Sequence, residues 1–387
     1  MRNLLIQIAF THQRRHLAAD IPLLHRALFL PVLSFASSVF KISIRARIFL
    51  YRWGVFEKKR LPVPVISVGN LTWGGNGKTP MVEFLSVFFS EMGVSPLVLT
   101  RGYAGGDEAK MLARHLSHTN AKIGVGANRA AIAARLFQKY GYTDNNRIPR
   151  IAENEKISVA ILDDGMQHWS LSRDLDIVMI NGLMPWGNNH LIPRGSLREE
   201  LIALERVDIA VIHHADLISD RQIKEIQSTI WKIKKSLPIY FSRLTPLHFF
   251  EPACFNSKLP LSILQNLVVL CISAIGFPCA FIRVIETMEP LYVDRLSFGD
   301  HYFIRASDIE MIKERVERVE LEFRSTKSII VVTEKDYDRD PIILNELNGF
   351  CKVLVLCSSL QIVPLRGGTD NDFKHLVKEL LFRTETN

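Results

Sequence analysis

The chain has 387 residues, long enough for two ordinary domains, and 48% of them are apolar against 23% charged, the balance of a folded protein with a sizeable core. Its formal net charge of +8 is concentrated at one end, because residues 1–60 carry eleven Lys and Arg against only Asp20 and Glu57. The rest is close to neutral, which excludes the pervasive basic faces of a nucleic-acid protein and fits a basic segment facing an anionic surface.

In chain order, the first 19 residues hold Arg2, Arg14 and Arg15 and no acid, as organellar transit peptides do. The longest apolar stretch, Ala27–Phe40, lies between Arg26 and Lys41 and contains Pro31 and three serines. Its fourteen residues fall short of the ~20 needed to cross a bilayer. Residues 1–60 are therefore expected to form a basic amphipathic helical segment that rests on a membrane surface.

The texture changes after Arg60. Pro62–Val68 reads as a strand, a Gly- and Asn-rich turn follows, and Pro80–Met92 has helical spacing closed by Gly93. Pro96–Thr100, Ser158–Leu162, Leu175–Ile180 and Ile209–Ile212 read as further strands, with a helix over Ser196–Leu204. Pro246, Pro252 and Pro260 mark a less periodic stretch, after which the alternation restarts. Strands are expected at Leu267–Ser273, Ser328–Thr333 and Val353–Cys357, with helices at Phe281–Met288, Ser307–Phe323 and Asp372–Phe382. This is an α/β pattern: a mainly parallel P-loop NTPase-type sheet with helices on both faces over 61–250, and a smaller α/β domain over 251–387 closing the cleft. There are five cysteines and no C-x-x-C pair; four of them lie in apolar surroundings and read as buried thiols, in a reducing compartment.

The main chemical signal is Gly74-Gly75-Asn76-Gly77-Lys78-Thr79, between a strand and a helix. Glycines let successive N–H groups turn onto phosphate oxygens; Lys78 can reach the β- and γ-phosphates and the Thr79 hydroxyl can ligate Mg²⁺. The following helix aims its positive N-terminus at the same anion. Thr72 stands where the usual P-loop has its first glycine. Asp163 and Asp164 end the strand Ser158–Leu162, the position of a carboxylate that meets a P-loop metal, and Gly165, Gln167 and His168 follow in the same loop. Arg101, Arg129, Arg194 and Arg198 sit in loop-like segments and suit phosphate clamping; Asp107 and His301 share such surroundings, and Asp300-His301 could offer a carboxylate–imidazole base. Thr333-Glu334-Lys335-Asp336 misses a guanine-reading box by one residue, and His213-His214 has Asp216 close by but no further metal ligand near in sequence.

Together these blocks resemble one family, the tetraacyldisaccharide 4′-kinases. Residues 67–80 are similar to its P-loop, including Thr72; Thr100-Arg101-Gly102-Tyr103 resembles its R-G-Y segment, Gly106-Asp107-Glu108 its G-D-E, residues 162–168 its D-D-G-x-Q-H, and residues 191–199 its L-P-x-G-x-L-R-E. Ala274–Pro278, Asp300-His301 and Thr333–Asp336 match later blocks. The resemblance implies transfer of the ATP γ-phosphate to the 4′-hydroxyl of an acylated glucosamine disaccharide-1-phosphate in lipid A biosynthesis. It implies Asp107, helped by His301, as the base that accepts the hydroxyl proton, and Asp163 and Asp164 as handlers of Mg²⁺. Arg101, Arg129, Arg194, Arg198, Gln167 and His168 are then contacts to the substrate. No nucleic acid and no obligatory protein partner are implied. The sequence departs from the family in a shortened segment before Gly106, in Ala109 for the usual Pro, and in Tyr302 where many members have a second His. The short loop and long basic start resemble plant members, which are organellar. A mitochondrial, membrane-associated location follows, with the cytoplasmic face of a bacterial inner membrane as the alternative. The rival classes are a P-loop ATPase or switch acting on a protein partner at a membrane, and a non-catalytic binding module.

Overall fold

A computed structural model of the protein defines residues 23–102, 106–143, 155–323, 327–365 and 368–382. The transit-peptide reading of the first 19 residues, and Tyr103, lie outside them. The chain forms two compact units: unit 1 takes Met1–Arg101, His118–Arg243 and Ile362–Asn387, and unit 2 takes Gly102–Ser117 and Leu244–Gln361. The units are thus interleaved in sequence, whereas the spacing pattern implies a single boundary at 250/251.

Unit 1 opens with helix α1 (Leu23–Arg52), which continues through Pro31, Lys41 and Arg45. Among the described residues, Phe29–Arg52 is long and apolar enough to cross a membrane by length and composition. The apolar run therefore understates the helix, because the charges interrupt the composition but not the backbone. Strand β1 (Val65–Gly69) is buried throughout and leads through the Gly-rich turn into α2 (Lys78–Glu91), then β2 (Ser95–Thr100). The chain passes into unit 2 for α3 (Asp107–His115) and returns as β3 (Lys122–Val125), α4 (Arg129–Tyr140), β4 (Ile157–Asp163), β5 (Leu175–Asn181) and β6 (Ile209–His213). Helix α5 (Asp220–Ile233) precedes β7 (Ile239–Glu251). The unit 1 strands run in the order β7-β6-β5-β1-β4-β2-β3 with parallel pairing. Continuous burial of β1, β4, β5 and β6 is what a parallel sheet covered on both faces demands of its sequence.

The helix expected at Ser196–Leu204 is not formed; a short 3-10 turn covers Leu201–Arg206 instead. Residues 196–198 are used as extended support for the P-loop. Trp73 N–H donates to Ser196 O (3.0 Å), Arg198 N–H donates to Leu71 O (2.7 Å), and Thr72 bridges to Leu197.

Unit 2 contains α3, the second half of β7, β8 (Cys254–Leu259), β9 (Val268–Ser273), α6 (Pro278–Glu286), β10 (Tyr292–Ser297) and α7 (Ala306–Glu322). β11 (Ser328–Thr333), α8 (Glu334–Arg339), α9 (Pro341–Asn348) and β12 (Lys352–Ile362) follow, and α10 (Asp370–Leu381) belongs to unit 1. β10-β9-β11-β12 are parallel neighbours, and β8 folds back antiparallel on β7. The proline-bearing stretch around 244–264 is therefore largely this hairpin. Pro246 lies inside β7, where missing N–H groups hide a strand from propensity reading.

Candidate functional site

The phosphate loop of unit 1 is built by close approach. A Cβ on Gly69, at the end of β1, would lie 2.7 Å from Met166 N, so only glycine lets the β4 loop pack there. Thr72 is buried, and its carbonyl accepts from Asn76 Nδ2 (2.9 Å), closing the turn on itself. Gly77 caps α2 with φ 78, and a Cβ there would strike the His213 ring at 2.6 Å. No side chain caps α2, so its first-turn N–H groups face the loop unclaimed by a capping residue, the arrangement that receives an anion. Two residues that sequence spacing did not assign buttress the loop. Asn181 Nδ2 donates to Gly75 O (3.0 Å), and His213, its register neighbour on β6, seats Gly77 while bonding Ser242 Oγ through Nδ1 (3.0 Å). Burial, and then His214 beside it, push the His213 imidazole well below its usual range, so it stays neutral under the loop.

The two aspartates after the Val159–Leu162 run are not equivalent. Asp163 is buried as the last residue of β4, opposite Val68 of β1. Asp164 turns away with φ 54, next to Gly165, and is gripped by Arg198, whose Nη2 donates to Oδ2 (2.8 Å) and whose Nη1 also reaches Asn70 Oδ1 (2.8 Å). Lys78 Nζ stands 3.6 Å from Asp164 Oδ1. Burial alone would raise the Asp164 carboxyl, but Lys78 and Arg198 outweigh it and hold the group well below the carboxylate range.

Arg129 donates to Asp163 O (2.7 Å) and Gln167 Nε2 to Asn70 O (3.1 Å). His168 is pushed down to about 4, by burial first and then by Arg129, Arg173, Arg47 and Arg101. The charges of four arginines thus disfavour a proton on this imidazole. Arg47 of α1 and Arg173 join the expected Arg101 and Arg129; Arg173 lies five residues beyond His168, whereas Arg47 is distant in sequence. Arg194 stands apart: its backbone N–H donates to Ser37 Oγ of α1 (3.0 Å), and its charge, after burial, lowers His190.

In unit 2, Asp107 opens α3 and is 1% exposed. Its Oδ1 accepts from Glu108 N–H (2.9 Å) and its Oδ2 from His301 Nδ1 (2.9 Å) and from Arg339. Burial opposes ionisation, but the bonds to His301 and Arg339 and the charge of Lys335 bring the carboxyl down to about 2. The shortened loop before Gly106 therefore leaves Asp107 on His301. Asp300, the sequence neighbour expected to orient the imidazole, lies farther off, 3.8 Å from Nε2.

Among the described residues, no group of three or more His, Cys, Asp or Glu converges as a metal cage. A nucleotide-bound Mg²⁺ needs no such cage, being held by one or two carboxylates, a hydroxyl and phosphate oxygens. Thr79 on the first turn of α2 and Asp163 at the end of the neighbouring β4 offer that donor set, and the uncapped glycine cradle fits phosphate.

Residues 29–378 match the family model for tetraacyldisaccharide-1-P 4′-kinase. The chain belongs to this family. The probable mitochondrial tetraacyldisaccharide 4′-kinase of Arabidopsis thaliana is 50% identical across 98% of this chain and 97% of its own. The tetraacyldisaccharide 4′-kinase of Halothermothrix orenii is 32% identical across 80% and 84%. Among solved structures, LpxK from Aquifex aeolicus, in complex with ATP, superposes with a TM-score of 0.60 at 23% identity, covering 92% of this chain and 99% of that one. The P-loop fold expected from the Gly-rich turn is thus shared with a kinase structure of this family.

Proposed function

We propose that this family member transfers the γ-phosphate of ATP to the 4′-hydroxyl of a tetraacylated glucosamine disaccharide-1-phosphate. The Asp107–His301 hydrogen bond carries the reading beyond nucleotide binding, since a switch ATPase has no use for an imidazole held by a buried anion. Lys78 and the first-turn amides of α2 bind the phosphates and offset their charge in the transition state. Mg²⁺, held by Thr79 and Asp163 with Asp164 beside them, would supply further charge neutralisation when bound. Asp164, tied by two cations, acts mainly by orienting Lys78.

We divide the dyad's labour differently from what the resemblance implies. Both Asp107 oxygens are engaged and its carboxyl sits at about 2, which makes it a weak base. We assign proton acceptance to His301 Nε2, with Asp107 orienting Nδ1–H. Arg101, Arg129, Gln167 and His168, joined by Arg47, form the cationic patch proposed for a substrate phosphate. Arg198 serves that site through Asp164, and Arg194 lies next to α1.

On α1, Leu33 and Ser37 are buried, Ser37 Oγ donates to Leu191 O (2.9 Å), and Lys41 and Arg45 pair with Glu200. That stripe docks the helix on unit 1 while Phe29, Val32, Phe35, Val39, Ile42 and Phe49 remain exposed. A helix docked along one side and apolar on the others suits in-plane contact with a bilayer, where the acyl chains of the substrate reside. The name of the Arabidopsis relative and the basic start support a mitochondrial location.

The test is transfer of labelled phosphate from ATP to the disaccharide-1-phosphate in mixed micelles, wild type against Lys78→Ala. Lipid product from wild type, reduced about 100-fold or more in the variant, is expected. ATP hydrolysis that ignores the lipid, with no lipid product, would favour the switch reading.

A further inference from the structure

The Thr333-Glu334-Lys335-Asp336 block fails as a guanine box, and the structure shows it opening α8, the helix that faces Asp107. We propose that Arg339, the last residue of α8, is a positioning residue for the Asp107–His301 pair: a buried cation that fixes the carboxylate and discourages the pair from taking up a proton. The proposal deepens the kinase reading by naming what sets the state of its base.

The contacts are specific. Arg339 is 6% exposed, and its Nη2 and Nε donate to Asp107 Oδ2 at 2.9 and 3.2 Å. The same oxygen accepts from His301 Nδ1, so guanidinium, carboxylate and imidazole form one chain. Nη1 is anchored behind by Asp336 Oδ1 (2.8 Å), and Asp336 in turn accepts from Ala274 N–H (3.0 Å) at the end of β9. A guanidinium fork spends its donors on two carboxylates at fixed angles, which a lysine cannot reproduce.

The other charges around the pair are Glu108 from α3, Asp300 from the loop before His301, and Lys335 and Asp336 from α8. Lys335 Nζ lies 3.4 Å from His301 Nε2 and 3.2 Å from Glu108. Carboxylates already outnumber cations here, four to two, and removal of Arg339 leaves Lys335 as the one cation among these groups, which favours a proton on the pair. Helix α3 does not depend on Arg339 alone. Arg114 forks onto Asp338 (2.7 and 3.0 Å), and His115 bonds Glu334 (2.7 Å), so α3 and α8 remain joined in a variant.

The experiment uses the full chain with ¹⁵N-labelled histidine, the His301 ring signals being assigned by their loss in His301→Gln. In Arg339→Met the pH midpoint of those signals should rise by about one unit, with Arg339→Lys in between. In turnover, the acid limb of the rate profile should move about one unit to higher pH, so that kcat on that limb falls up to about tenfold with KM for ATP unchanged. An unchanged midpoint in Arg339→Met, or equal midpoints in the Met and Lys variants, would overturn the proposal and leave Arg339 a packing residue. The ring signals need no turnover, so absence of lipid product from wild type would count against the kinase reading alone.

Discussion

At the scale of single residues, the P-loop, the paired aspartates and the Asp107–His301 pair were legible because each is a chemical pattern in adjacent letters or a resemblance to one. What spacing could not assign are the residues that act on those letters from afar. Asn181 and His213 hold the loop from neighbouring strands, and Arg339 holds Asp107 across more than two hundred residues of chain. The roles assigned to Asp107 and His301 have separate consequences. His301→Gln removes the proton acceptor and should lower kcat by about 10²–10⁴, with KM for ATP little changed. Asp107→Asn should cost a comparable factor by disturbing the imidazole tautomer, so the double variant should lose little more than either single one. Steady-state kinetics of the three variants check this, and multiplied losses would separate the two residues. Arg198 acts through Asp164. Its removal frees that carboxylate to draw Lys78 from the phosphates, so Arg198→Ala should raise KM for ATP about tenfold, and Arg198→Lys should not restore it.

At the scale of elements, α1 is the instructive case. Composition counted an apolar run too short to span, and the helix proves longer because backbone hydrogen bonds continue beneath the charged side chains. Its docking stripe, Leu33, Ser37, Lys41 and Arg45, recurs every four residues, which is a helix spacing visible in sequence, but the partner at 191–200 is not. Residues 196–204 fail in the opposite way. Their helical spacing is real, yet tertiary pairing with Leu71–Trp73 claims the backbone of 196–198 first. If the free faces of α1 meet a bilayer, replacing Phe35 and Val39 by Asp should markedly reduce sedimentation with anionic vesicles while leaving the melting temperature nearly unchanged. Equal sedimentation would mean that these faces meet something else.

At the scale of the whole molecule, alternation of strands and helices gave the α/β class but not the interleaving of the units, since the crossings at 102–117 and 362–387 leave no local signature. One property belongs to this scale because it sums over buried groups. His168 and His214 sit at about 4 and His213 is held well below its usual range, each by burial first, against an ordinary value near 6.5. The unfolded chain takes up these protons before the folded one, so stability is fully present above about 6.5 and is lost as pH falls toward 4. Thermal melts should therefore weaken from pH 7 to pH 5, before most carboxylates titrate, and His214→Phe should flatten that slope.

The position of the transferred phosphate separates a 4′-kinase from a switch ATPase, and ³¹P NMR of the lipid product reads that position. Incubation of the full chain with ATP, Mg²⁺ and the tetraacyldisaccharide-1-phosphate should yield a second phosphomonoester signal coupled to H-4′. A product lacking that coupling, or unchanged lipid beside consumed ATP, would rule out 4′-phosphorylation.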